Sequence, residues 1–119
     1  MKRQIILLCC LVLLPLQGFG TFMDGNTLLT LCEATINLRT PDDAVKTYQC
    51  SGYISGVVDI HDTFVSQGVM AAKWCRPDTI TIGQLARVVT KYLREHPESL
   101  HLAAADQVEI AIVLAFPCK

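Results

Sequence analysis

The sequence predicts an all-α protein: a small four-helix domain cross-linked by two disulfides, after a cleaved signal peptide. Three observations carry that reading. Apolar residues recur with a period near 3.6 along each long segment instead of alternating. Two segments open on capping-box signals. Six cysteines are present, and four of them remain once the leader is removed, an even number that in a small exported chain reads as two disulfides. The β-branched pairs Val57-Val58 and Val88-Val89 sit inside longer helical patterns, with no Asn-Gly or Asp-Gly hairpin signal between them.

The leader comes first. Lys2 and Arg3 precede an apolar run from Ile5 to Leu16, and Pro15, Gly18 and Gly20 mark a small-residue exit. This is the pattern of a secretory signal peptide over residues 1–20. The run falls short of the roughly 20 apolar residues of a membrane span, so no stable membrane anchor is expected. Large Leu7 and Leu8 ahead of Cys9 and Cys10 argue against a lipoprotein. The mature domain is then 21–119, a localisation in the periplasm follows, and Cys32, Cys50, Cys75 and Cys118 remain.

Asp24 or Asn26 caps a first helix with Leu28, Leu31 and Cys32 on one face. Thr40-Pro41-Asp42-Asp43 opens a second: Thr40 caps, Pro41 takes the first helical position, and Asp43 reaches back. Tyr53, Val57, Ile60 and Phe64 form its expected apolar face, with Ser55, Asp59, Asp62 and Ser66 opposite. Gly52 and Gly56 each cost about 1 kcal/mol in a helix interior. Beside Tyr53 they are expected to form a helix-packing groove that seats the first or last helix. Thr81 and Gln84 cap a third helix carrying Ile82, Leu85, Val88, Val89, Tyr92 and Leu93. His96-Pro97 ends it. The fourth turns Val108, Ala111, Ile112, Ala115 and Phe116 inward and stops at Pro117.

Four cysteines allow three connectivities. Cys32–Cys50 and Cys75–Cys118 are favoured because each joins segments that the helix pattern sets side by side. In the chain-entropy model each is worth roughly 3–4 kcal/mol. The mature chain carries eight Lys and Arg, since Lys2 and Arg3 leave with the leader, against eleven Asp and Glu. That mildly acidic balance, with no basic stripe, excludes nucleic acid as a natural partner.

Catalytic and metal chemistry find little support. Asp59, His61 and Asp62 have suitable side chains, but a solvated helix face is the better reading. His96, Glu98 and His101 fit a helix connector better than a metal site, with His96 closing the third helix and Glu98 or Ser99 opening the fourth. With all four mature cysteines paired, no thiolate nucleophile is left. Neither a nucleophile elbow nor a phosphate loop is present. No enzyme activity, cofactor or metal is expected.

An ordered set of motifs carries a resemblance. Cys32 is followed by Cys50-Ser51-Gly52-Tyr53-Ile54-Ser55-Gly56-Val57-Val58-Asp59, then Cys75-Arg76-Pro77, then Tyr92-Leu93 with His96-Pro97-Glu98, then Ala115-Phe116-Pro117-Cys118. From about Gly25 to Cys118 the chain resembles the Rap/Tai family of immunity proteins. The resemblance implies a periplasmic protein that binds and occludes a type VI secreted peptidoglycan amidase, a papain-like cysteine amidase, as a possible homodimer. It also implies a partner-specific loop between the Gly-Tyr-Ile helix and Cys-x-Pro. Here that loop holds Gln67, Met70, Lys73, Trp74 and Arg76, among them residue types enriched at binding hot spots. Trp74 and Met70 serve equally well as cover for the Cys75 bridge. Glu98 and His101 are the second-choice contacts. A small disulfide-linked periplasmic chaperone of the acid-stress type is the alternative; it would unfold and expose apolar surface at low pH.

Overall fold

The structure, a computed structural model, describes residues 22–119. The leader over residues 1–20 lies outside the described residues. Four helices follow in order: α1 Gly25–Glu33, α2 Pro41–Ser66, α3 Ile82–Glu95 and α4 Ala104–Ala115, with a 3-10 turn Pro97–Ser99 between the last two. α1 lies along α2 and α3 along α4, and both members of the first pair also meet α3. The fold is all-α, as the periodicity indicates, and the disulfides are Cys32–Cys50 and Cys75–Cys118. Among the described residues no helix is long and apolar enough to cross a membrane.

The helix starts follow from their caps. The Asp24 carboxylate accepts from the Thr27 N–H at 2.8 Å, so Asp24, not Asn26, begins α1. At α2 the Thr40 hydroxyl accepts from Asp43 N–H, and the Asp43 carboxylate accepts from Thr40 N–H at 2.9 Å. Thr81 and Gln84 repeat the exchange at α3. Each box satisfies amides that an α-helix leaves without internal partners.

The opening of α4 differs from the sequence reading. Glu98 and Ser99 belong to the 3-10 turn, and α4 starts at Ala104 behind an Ala103 that makes no side-chain cap. The segment entering α1 does the capping instead: Ala104 N–H donates to the Met23 carbonyl at 3.0 Å. In return Gly25 and Asn26 donate to the carbonyls of Leu102 and Leu100. The two segments meet so closely that a Cβ on Gly25 would lie 2.9 Å from the Leu100 carbonyl oxygen.

The core takes Leu28 and Cys32 from α1, Cys50, Ile54 and Val58 from α2, Leu85, Val89 and Leu93 from α3, and Val108 and Ile112 from α4. Here α2 departs from its expected face. Its inward line is Cys50, Ile54, Val58 and His61, while Tyr53 and Val57 pack at the edge and Ile60 and Phe64 are exposed. The helix is rotated by about one residue position, roughly 100°, because Cys50 must face Cys32. That rotation also corrects the glycines. Gly52 and Gly56 point outward with no atom within 4 Å of an added Cβ, so neither seats α1 or α4. Ala115, expected inward, is exposed at the end of α4.

Gly25→Ala should cost about 1–3 kcal/mol, because the obstructing atoms are backbone and cannot swing aside. Gly52→Ala should instead gain about 0.5–1 kcal/mol. Urea unfolding of the mature chain measures both, and equal effects would contradict the packing described. For the disulfides, removal of either pair should lower stability by about 2–5 kcal/mol, and the denatured, unreduced chain should titrate no free thiol.

Candidate partner-binding site

The site grows from the end of α2. Gly68, at φ 70°, closes the helix, with Gly68 N–H donating to the Val65 carbonyl and Val69 N–H to the Phe64 carbonyl. This is a Schellman ending, and its left-handed residue is the reason glycine stands there. The chain then turns back along α2. Its far end is tied to the C-terminal segment twice, by the Cys75–Cys118 bridge and by Cys75 N–H donating to the Phe116 carbonyl at 2.8 Å.

Between these ends the connector is fastened to α2 by two adjacent side chains. The His61 ring stacks on Trp74 with centroids 3.6 Å apart and planes at 22°. His61 Nε2 lies 3.1 Å from the Lys73 amide nitrogen, and Nδ1 lies 2.9 Å from Asp62 Oδ1. A backbone N–H can only donate, so Nε2 is the acceptor and the neutral ring carries its proton on Nδ1, donating to Asp62. The second oxygen of Asp62 accepts from Arg76 Nη2 at 2.6 Å. A third tie runs to α4, where Lys73 Nζ donates to Glu109 Oε1 at 2.6 Å. Burial alone would raise the Asp62 carboxyl; the hydrogen bonds from His61 and Arg76 outweigh it and hold the group below its ordinary value.

Beside this cluster opens a groove of about 280 Å³, walled by Val57, Ile60 and Phe64 of α2, Met70 and Trp74 of the connector, and Asp106 and Glu109 of α4. Its outer lip is apolar and open to solvent: Ile60 is 51% exposed and Phe64 39%.

The sequence-expected contacts divide. Gln67 and Lys73 are exposed and Met70 is partly so. Trp74 is 3% exposed: the ring is core, stacked on His61, a burial that fits the covering one of its two readings. Arg76 is partly buried in its pair with Asp62. Glu98 and His101 stand on the other connector and do not line the groove; Glu98 pairs with His96 at 3.0 Å. Of the solvated face assigned to Asp59, His61 and Asp62, Asp59 is exposed and Asp62 partly so, whereas His61 is buried and corrects the reading there. Sequence reasoning missed His61 as a structural residue, and Ile60 and Phe64 as exposed ones. The signal was present: His61 falls eleven positions after Cys50, three helical turns on. Among the described residues no three His, Cys, Asp or Glu side chains converge to hold a metal.

The Rap1a immunity protein family model matches residues 24–118, from the α1 cap to the last cysteine. The chain belongs to the Rap1a immunity protein family. No curated protein matches it. Rap1a immunity proteins are non-enzymatic inhibitors, so the groove is not a catalytic centre.

The geometry separates Lys73 from Arg76. Arg76→Ala should destabilise the mature chain by about 1 kcal/mol, because it strips a partly buried carboxylate of its charged partner, and Lys73→Ala by less. The Arg76 effect should hold above the ordinary carboxyl range near pH 4 and fade as pH drops through the depressed Asp62 value. The sign follows from linkage: a lowered folded pKa gives stability that acid removes. Urea unfolding at pH 7 and pH 3 reads both.

Proposed function

We propose that the mature chain works in the periplasm, where it binds and occludes a papain-like peptidoglycan amidase delivered by type VI secretion, protecting the producing cell and its kin. The family match across the whole described fold carries this reading. Two disulfides fit the oxidising compartment in which such an enzyme attacks. The proposed contact surface is the exposed lip formed by Ile60 and Phe64 of α2 with Gln67, Val69, Met70 and Lys73 of the connector. Trp74 and Arg76 act beneath it, holding its shape. The outward face of α2, with Val45, Tyr48, Gly52 and Gly56 unpartnered, is the proposed seat of a second copy in a homodimer. Two glycines there let a second helix approach closely.

The test uses the mature protein and a papain-like peptidoglycan amidase of the type VI effector class. Inhibition of muropeptide cleavage at an equimolar ratio is the expected result; full cleavage in the presence of excess protein would remove the proposal. An acid-stress chaperone would instead protect unrelated denatured proteins at low pH. For the surface, Phe64→Ala with Met70→Ala should lower affinity by about 2 kcal/mol or more, roughly thirty-fold, with little change in melting temperature. Normal binding by that variant, together with loss of binding in Glu98→Ala with His101→Ala, would move the interface to the α3–α4 connector.

A further inference from the structure

Histidine 61 is the one imidazole buried in the fold, and the interactions of its two nitrogens differ in kind. Nδ1 faces the Asp62 carboxylate at 2.9 Å, whereas Nε2 faces a backbone N–H, that of Lys73, at 3.1 Å. Only the neutral ring satisfies both. A proton added to Nε2 sets a donor against a donor, and a backbone amide that loses its acceptor near the interior is costly. The stack on Trp74 and the bond to Asp62 survive protonation, since an indole face and a carboxylate both favour a cation. The charges around the ring do not expel a cation either. Asp62 lies on α2, Asp106 and Glu109 line the groove from α4, and Asp78 lines the other side of the ring; against them stand Lys73 and Arg76 of the connector. Protonation therefore has one local casualty, the bond that fixes the connector at Lys73.

We propose that His61 is a positioning residue with a proton-sensitive grip: the neutral ring holds the residue 67–73 segment in its binding shape, and the protonated ring lets it go. This rests on the reading of that segment as the amidase contact. Protonation at Nε2 removes the one bond to the Lys73 N–H and leaves the helices in place.

The protein itself supplies the readouts. Trp74 is the only tryptophan in the chain, and a stacked imidazolium quenches indole emission, so fluorescence of the mature, oxidised protein follows the charge on His61. Amide hydrogen exchange at Lys73, corrected for the intrinsic pH effect, follows release of the connector. Lowering pH should quench Trp74 in a one-proton step and, over the same step, reduce Lys73 protection at least threefold, while the Val89 and Ile112 amides keep theirs. His61→Phe keeps a stacking ring but has neither acceptor nor titration; its Lys73 amide should exchange fast at every pH. His61→Gln should give pH-independent exchange. Quenching without loss of Lys73 protection, or the same pH response in His61→Phe, would overturn the proposal. With the amidase that the mature protein inhibits as probe, wild-type affinity should fall at least threefold from pH 7.5 to 5.5 and that of His61→Phe should stay flat. A chain that binds the amidase at no pH refutes the immunity reading, and the exchange measurement still decides the role of His61.

Discussion

The bridge between Cys32 and Cys50 sets the rotation of the longest helix, and most of the molecule depends on that rotation. Cys50 is wholly buried against α1. At roughly 100° per residue, His61 then falls about 20° from it and also faces inward, while Ile60 and Phe64 fall about 80° and 40° to the other side. With Phe64 close to the end of the helix, where the bundle no longer covers it, these two residues reach solvent. One covalent contact near the middle of α2 thus decides, three turns later, which side chain grips the connector and which form the apolar lip.

The connector itself has almost no regular structure, so its order has to come from anchors. Trp74 supplies the apolar anchor. Arg76 with Asp62, and Lys73 with Glu109, supply polar ones at either side. A surface loop held in this way loses little conformational freedom on meeting a partner, and preorganisation of that kind improves affinity without adding contacts. The exposed lip offers adaptable Met70 beside branched Ile60 and the Phe64 ring.

Much of the fold was legible in the sequence because its signals are local. The caps at Thr40 and Thr81 depend on residues three apart, and the cysteine pairing followed from segments laid side by side. The faces of α2 were not legible in the same way. Its inward line contains a histidine, which periodicity counts as polar, and its exposed lip contains Phe64, which periodicity counts as core. Trp74 stayed open between two readings for a related reason: the same large amphipathic ring serves as a hot spot when open and as a plug when covered, and only the position of His61 distinguishes the two. The opening of α4 is capped by a residue eighty positions earlier in the chain, Met23, and no window of sequence contains both.

The second bridge has a consequence for timing. Cys75 and Cys118 lie at the protein surface, and their bond closes a loop over the third and fourth helices. Such a bond forms only once a chain has left a reducing compartment. Before that moment the connector's far end is held by the Trp74 stack and the Asp62–Arg76 pair without a covalent tie. The last fastening of the connector is therefore supplied by an oxidising environment and not by the folding of the helices alone.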